Sequence, residues 1–219
     1  MKASLDTDII IHLYKSGKKE LLFEFFEELY IHEYLLEKEV KDKSSEVYTE
    51  LYGDIQDGYI VVIRTSDLID RGIKTLFEDY MRDYEILFDR GELRAIALAK
   101  AMGIMAFVSD DTKDDGPHQL LQKELIQDVI PFAFYELLFL KFLRSELTTQ
   151  QYYDAFNQIT VASMAEHPMR FTTKIKATVR RFSKYGTERD IKWRDDFCKA
   201  HDINFNKKMI ELRDLLGTL

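Results

Sequence analysis

The chain has 219 residues, of which 46% are hydrophobic and 13% aromatic, and a formal net charge of −8 at pH 7. This apolar content is enough for a folded core and argues against a disordered chain. The longest apolar stretch, residues 129–143, is too short to cross a bilayer, so no contact with a membrane is expected. The single cysteine, Cys198, cannot form an intrachain disulfide, and the first residues do not resemble a secretory signal. We therefore expect a cytoplasmic protein.

Strands and helices are predicted to alternate along the first part of the chain. Residues 2–5 have the pattern of a short apolar strand that ends at Asp6. The same pattern predicts three more strands, at residues 29–36, 59–63 and 104–108. Helical spacing covers residues 9–13, 21–26 and 37–55, a stretch from Asp67 with Ser66 as its cap, and a stretch from Gly91 to Gly103. Packing helices follow residue 131, with Thr148 or Thr149 as a cap.

This alternation predicts an α/β fold with three layers, in which helices cover both faces of a central parallel sheet. The predicted domains are residues 1–160 and a basic, helical C-terminal extension over residues 161–219. Ligand sites of such sheets form beyond the carboxyl ends of the strands. Asp6 and the pair Asp110-Asp111 both follow predicted strands, so we expect them at the same sheet edge.

Carboxylates in four separate stretches indicate a site for divalent metal ions. Mg²⁺ and Mn²⁺ prefer oxygen ligands and can activate water for phosphodiester hydrolysis. A helix dipole alone would also favour an acid at the position of Glu92, close to a predicted helix start. The five histidines show no metal-binding spacing and are interpreted as surface or packed side chains. The candidate acids are Asp6 with Asp8, Glu37 with Glu39, Glu92, and Asp110 with Asp111.

Three of these stretches resemble motifs of the PIN-domain family. The segment SLDTDIII at residues 4–11 resembles the opening strand of PIN domains, and GELRAIALA at residues 91–99 is similar to a helix of that family. The segment FVSDD at residues 107–111 resembles its late strand, which ends in Asp-Asp. The motifs stand in family order, and the resemblance covers about residues 1–145.

The resemblance implies a Mg²⁺- or Mn²⁺-dependent ribonuclease that cleaves single-stranded RNA with four acids. Glu37 is a rival of Glu39, and Asp110 is a rival of Asp111. Shortly after the Asp-Asp pair, this branch of the family has a small residue and an arginine, whereas this chain has Thr112, Lys113, Asp114 and Asp115, which leaves the neutralisation of phosphate open. By motif, the catalytic residues are Asp6, Glu39, Glu92 and Asp111, the metal ligands are these four and Asp110, and the supporting residues are Thr7, Asp8 and Ser109.

The C-terminal segment is basic, whereas the rest of the chain is acidic. Residues 167–219 contain 13 Lys and Arg against 7 Asp and Glu, a net charge of +6, which leaves 18 basic and 32 acidic residues and a net charge of −14 for residues 1–166. Aromatic residues alternate with the bases, a composition typical both of nucleic-acid binding and of helix packing. Contacts to the RNA backbone are expected from Arg180, Arg181, Lys184 and Arg189.

The sequence is compatible with functions of different classes. The first is an active ribonuclease, including the toxin of a toxin–antitoxin pair, and the second is an inactive PIN-fold protein that binds nucleic acid or serves as a scaffold. A flap-type DNA nuclease is a third. Retention of all four acidic positions favours the enzyme. The expected partners are single-stranded RNA, with an antitoxin protein and a second copy in a homodimer as further candidates.

Overall fold

A computed structural model describes residues 1–110, 128–163 and 168–217 of the chain. The chain divides into two compact units, Met1–Phe134 and Tyr135–Leu219. The predicted domain boundary at residue 160 falls inside the second unit. Among the described residues, no helix is long and apolar enough to cross a membrane.

The first unit contains a five-stranded parallel sheet with the strand order β3-β2-β1-β4-β5. The predicted α/β class is therefore confirmed, and the arrangement is compatible with three layers. The strand β5 was not predicted, because Pro131 occupies the middle of its short apolar run and proline is tolerated mainly in edge strands. The strands are β1 (Lys2–Leu5), β2 (Glu28–His32), β3 (Ile60–Ile63), β4 (Ala106–Val108) and β5 (Ile130–Phe132).

The central strands are buried on both faces. Ala3, Ser4 and Leu5 of β1 are fully buried although they are consecutive and therefore point to alternate faces. All three residues of β4 are fully buried too. Such continuous burial is expected where other elements cover both sides of a parallel sheet. The hydroxyl of Ser4 is satisfied inside this core, because it donates to the carbonyl oxygen of Ala95 at 2.8 Å.

Helices connect the strands of the first unit, and one predicted helix differs from the observed structure. The stretch 37–55 is interrupted: a π-helical turn, Leu35–Val40, is followed by a short helix and by a break at Ser44, whose extended backbone ends one helix and caps the next. The α-helices of this unit are α1 (Thr7–Lys15), α2 (Glu20–Phe25), α3 (Lys41–Lys43), α4 (Ser45–Gln56), α5 (Thr65–Asp70), α6 (Lys74–Asp83) and α7 (Arg90–Met102).

The ends of α7 have clear sequence causes. Asp89 caps its start by accepting hydrogen bonds from the amides of Gly91 at 3.0 Å and Glu92 at 3.1 Å. Gly103 ends it, as predicted, with a left-handed φ of 65° that an L side chain rarely adopts. Asp67 and not Ser66 binds the first turn of α5, where its carboxylate accepts the Arg64 amide.

The described part of the second unit is helical, as predicted for the C-terminal extension. Its core is aromatic: Phe139 contacts the rings of Phe142, Tyr152, Phe182 and Phe205. The predicted cap Thr148 is confirmed, since its hydroxyl accepts the Gln151 amide at 3.2 Å. The helices are α8 (Phe134–Leu143), α9 (Thr149–Ser163), α10 (Phe171–Phe182), α11 (Glu188–Ala200) and α12 (Phe205–Leu216).

Candidate active site

Asp6 lies directly after β1 and caps the start of α1. Its amide donates to the carbonyl oxygen of Val108 at 3.0 Å, so Asp6 continues the pairing of β1 with β4. Its Oδ1 accepts the Thr7 amide at 2.7 Å, and its Oδ2 accepts the Ser109 hydroxyl at 2.8 Å. Because β1 and β4 are neighbours, two strand ends that are 103 residues apart in sequence meet at one sheet edge, as predicted.

The environment of Asp6 opposes its charged form. Burial raises the pKa of Asp6 to about 7, and the negative charges of Asp8 and Asp89 act in the same direction. The hydrogen bonds from Ser109 and Thr7 stabilise the charged form and lower the pKa, but they do not offset the burial. The carboxylate of Asp6 therefore has a strong electrostatic requirement for a nearby positive charge.

Glu39 lies in the same region, whereas Glu37 does not. The Thr7 hydroxyl donates to Oε2 of Glu39 at 2.8 Å. A Cβ atom added to Gly91 would lie 2.7 Å from both carboxylate oxygens of Glu39, so the absence of a side chain at Gly91 makes room for this carboxylate. Glu37 is exposed on the surface, where it accepts from Lys41 at 3.2 Å and Tyr48 at 3.1 Å. Of the two rival positions, the structure brings Glu39 to the Asp6 region.

Glu92 is buried in the first turn of α7, where it takes part in a capping box. Its Oε2 accepts the Asp89 amide at 3.3 Å, while Asp89 in turn caps the helix. Glu92 therefore stabilises the start of α7, as the structural explanation for an acid at this position expects. The capping box also holds Asp89 in place, and the charge of Asp89 acts on Asp6.

Asp110 has two partners that hold it away from solvent. Its Oδ2 lies 2.7 Å from Nδ1 of His12 on α1, and its Oδ1 accepts the Phe134 amide at 2.9 Å. Asp110 thus links α1 to the residue at which α8 begins. Asp111 lies outside the described residues.

A lysine stands at the edge of this acidic cluster. Nζ of Lys43 lies 3.0 Å from Oδ1 of Asp8. Burial lowers the pKa of Lys43, but the charge and hydrogen bond of Asp8 and the charges of Glu39 and Asp6 outweigh this effect and raise it. Lys43 is therefore a cation that three carboxylates attract.

Three of these contacts were not predicted from the sequence. Asp89 could have been found, because Asp89-Arg90-Gly91-Glu92 has the spacing of a capping box. The role of Lys43 depends on the interruption of the helix at Ser44, which the helical spacing does not indicate. His12 was interpreted as a surface or packed side chain, and no local motif announces its long-range contact with Asp110.

The predicted nucleic-acid-binding bases belong to the second unit and differ in accessibility. Arg181 is buried, with NH1 2.8 Å from Glu136 and Nε 3.0 Å from Asp190. Arg189 also pairs with Asp190, at 3.0 Å. These internal ion pairs occupy both guanidinium groups. Arg180 and Lys184 are exposed to solvent.

The carboxylates suit a hard cation by their chemistry. Oxygen donors are the ligands that Mg²⁺ and Mn²⁺ prefer, and a divalent charge would relieve the repulsion around Asp6. In the ranges that the structure describes, however, no three His, Cys, Asp or Glu side chains are grouped so that they could hold a metal ion. Comparisons with models of protein families, with curated proteins and with solved structures found no match for this chain.

Proposed function

We propose that the first unit is a PIN-like endoribonuclease that hydrolyses phosphodiester bonds of single-stranded RNA with Mg²⁺ or Mn²⁺. The observation that carries this proposal is the state of Asp6, a buried acid whose pKa is about 7. Burial of a repelled carboxylate costs folding free energy, and such perturbed groups concentrate at functional sites. The order of the three PIN-like motifs adds support.

The residues of the chain have distinct tasks in this proposal. By the family motif, the metal ion would be held by Asp6, Glu39, Glu92, Asp110 and Asp111, of which Asp111 lies outside the described residues. Ser109 and Thr7 orient the first two carboxylates through hydroxyl hydrogen bonds, and Gly91 leaves room for Glu39. A bound Mg²⁺ or Mn²⁺ would lower the pKa of a water molecule and neutralise charge on the phosphoryl oxygens.

Lys43 provides the positive charge that the family motif leaves open. Where the family has an arginine shortly after the Asp-Asp pair, this chain has residues 112–115, which contain no arginine and lie outside the described residues. Lys43 is half exposed and is already attracted by Asp8. In the proposed function, its ammonium contacts the phosphate of the RNA when the substrate displaces the contact with Asp8.

A second candidate function is supported by Asp110. Its carboxylate is engaged by His12 and by the Phe134 amide, and the described acids do not form a three-ligand group. These observations favour a PIN-like protein that binds nucleic acid without cleaving it.

The deciding experiment measures cleavage of defined single-stranded RNA and DNA with Mg²⁺ or Mn²⁺, using the wild type and the Asp6→Asn, Glu39→Gln and Glu37→Gln variants. The rate of RNA cleavage should fall about tenfold to a hundredfold or more in Asp6→Asn and in Glu39→Gln. Even the loss of a residue that only supports a metal ligand typically has an effect of this size. Glu37→Gln is the matched control and should keep full activity.

The outcomes separate the candidates. Full activity of pure Asp6→Asn would reject the proposed site. RNA binding without cleavage under any of these conditions would establish the second candidate, and cleavage of DNA alone would indicate a DNA nuclease.

A further inference from the structure

A groove in the second unit has an aliphatic floor. It lies between α10 and α12 and has a volume of about 590 Å³, within the range of ligand-binding pockets. Val179 of α10 and Met209, Leu212 and Leu216 of α12 line it. Aliphatic side chains around an open groove are a common sign of an interaction site, since apolar surface is stabilised by being covered.

The walls of this groove are basic. Lys176 and Arg180 stand one helical turn apart on α10, and Arg213 faces the groove from α12. In the described part of the chain, Lys176 and Arg180 form no ion pair, in contrast to the buried Arg181. Among the residues whose structure is described, Arg213 forms an ion pair only with the exposed Asp214, at 3.6 Å. Positive charge therefore flanks the apolar floor on both sides, and no acid is among the described residues that line the groove.

We propose that this groove binds an acidic amphipathic α-helix of a partner protein. Apart from Tyr185 at the rim, the lining residues extend over residues 176–183 and 209–216, which is roughly 10 Å or two helical turns at 1.5 Å per residue. A groove of this length accommodates apolar side chains at positions i, i+4 and i+7 of a docked helix. Glutamate or aspartate beside these anchors would meet Lys176, Arg180 and Arg213, so the charges of the two surfaces are complementary.

Other occupants match the groove less well. Single-stranded RNA binds by stacking its bases on aromatic rings, but only Tyr185 is aromatic here, and it is 72% exposed at the rim. An acyl chain with one carboxylate head group would need cations at one end, whereas these cations line both walls. The groove belongs to the second unit, so the inference does not depend on the acidic site. It shares Arg180 with the bases that are expected to contact RNA, and an acidic helix and RNA would therefore compete for this residue.

The test is fluorescence anisotropy of the whole chain with labelled helical peptides of about 15 residues, a length that can hold a helix. One set of peptides carries leucine, isoleucine or phenylalanine at the three anchor positions and glutamate beside them. Control sets replace the anchors by alanine or the glutamates by lysine. We expect saturable binding of acidic peptides with Kd values near the micromolar range, and no binding of either control set.

Variants of the chain locate the binding surface. The double variant Lys176→Glu/Arg180→Glu should weaken binding at least about tenfold, because it reverses the charge of one wall. Lys192→Glu/Lys199→Glu is the matched control, since it makes the same charge change at exposed positions of α11 and should leave binding unchanged. Met209→Glu, on the half-buried floor, should also abolish binding, with circular dichroism to show that the helices persist.

Several results would overturn the proposal. It is wrong if no acidic peptide binds, or if the Lys176/Arg180 double variant binds these peptides as tightly as the wild type. It is also wrong if a single-stranded RNA oligonucleotide or octanoate displaces the peptides and binds more tightly than they do, because the groove would then be a nucleic-acid or fatty-acid site.

Discussion

At Asp6, the requirements of stability and of the proposed chemistry conflict: the proposed metal site needs a carboxylate, but a buried carboxylate lowers the free energy of unfolding. Its carboxylate is 4% exposed and is repelled by Asp8 and Asp89. A side chain chosen for stability alone would be neutral here, since burial of an acid without a paired cation is unfavourable. This conflict gives the first prediction, which needs no assay of cleavage.

We predict that Asp6→Asn stabilises the metal-free chain at pH 8 but not at pH 4. The pKa of Asp6 is raised from 3.8 to about 7, so between these values the folded chain keeps a proton that the unfolded chain has released. The free energy of unfolding therefore falls as the pH rises through this window. Because the amide of Asn cannot ionise, the free energy of unfolding of the variant should exceed that of the wild type by on the order of a few kcal/mol at pH 8. Urea unfolding in EDTA measures this.

Two controls sharpen this comparison. Burial and the charge of Arg94 lower the pKa of His32 to about 4. The free energy of unfolding therefore also falls as the pH drops from 6.5 toward 4. Only the difference between variant and wild type at the same pH isolates the contribution of Asp6. Asp42→Asn is the matched surface substitution and should change little. Added Mg²⁺ or Mn²⁺ should stabilise the wild type more than Asp6→Asn, and equal stabilisation would argue against Asp6 as a ligand.

Gly91→Ala should separate stability from activity. Alanine favours the helix by about 0.5–1 kcal/mol over glycine. The new methyl group would, however, lie 2.7 Å from the Glu39 carboxylate, which is the end of a flexible side chain and can move away. We expect an unchanged or slightly higher free energy of unfolding, together with a loss of RNA cleavage of about tenfold to a hundredfold, because small displacements of a reacting group are costly.

The matched control for Gly91→Ala is Gly53→Ala in α4. No atom lies within 4 Å of a Cβ built on Gly53, so this change should raise stability without lowering cleavage. If Gly91→Ala cleaves RNA as fast as the wild type while Glu39→Gln does not, the position of Glu39 relative to Gly91 has no catalytic importance.

Among the strands and helices, those with regular hydrophobic spacing could be predicted from the sequence, whereas irregular elements could not. The strands β1, β3 and β4 and the end of α7 at Gly103 follow from apolar runs and a glycine. The π-helical turn Leu35–Val40 does not. The predicted strand 29–36 was wrong beyond His32, because the apolar pair Leu35-Leu36 fits the apolar run of a strand equally well. The strand β5 was also not predicted, because Pro131 lies in the middle of its short apolar run.

The same difference between regular and irregular elements decides which contacts of the candidate site could be predicted. The meeting of Asp6 with Ser109 was predictable, because both follow neighbouring parallel strands. The motif favoured Glu39 over its rival Glu37, but it could not give the contact of Glu39 with Thr7, which depends on how the π-helical turn rotates the chain. The positions of Asp89, Lys43 and His12 required long-range geometry, which short motifs do not contain.

Element packing in the second unit depends on Arg181, for which we predict a large loss of stability. Arg181→Met would remove the cation that bridges the buried acids Glu136 and Asp190, while Arg189 remains beside Asp190. Loss of one partner of a buried ion pair typically costs about 3–5 kcal/mol, and we expect a loss of roughly this size. Arg180→Met is the matched control at an exposed neighbour and should cost little. Chemical denaturation followed by circular dichroism compares the two.

A rescue experiment distinguishes charge burial from lost packing. Adding Glu136→Gln to Arg181→Met removes the charge of one acid that pairs with Arg181 and keeps the pair of Asp190 with Arg189. Stability should then recover in part, and a further loss would show that the packing of the arginine stem dominates.

For the whole molecule, the contrast between the −14 and +6 segments governs the expected response to salt. Of the four predicted RNA-binding bases, Arg180 and Lys184 have cationic groups at the surface. Replacing both by glutamine should weaken RNA binding with little sequence preference and reduce the slope of log affinity against log salt by about one unit for each lost phosphate contact. Lys192→Gln/Lys199→Gln is the charge-matched control. Equal slopes for wild type and variant would make the segment a packing element.

The position of β1 in the middle of the sheet has a consequence for local opening. Its neighbours β2 and β4 pair with it on both edges, and the Asp6 amide donates to Val108. Amide hydrogens of such a strand exchange with solvent only when the entire unit unfolds, whereas those at the ends of surface helices exchange through local fraying. Deuterium uptake at Ser4, Leu5 and Asp6 should thus report global opening, which would place the buried acid Asp6 in the segment that opens last.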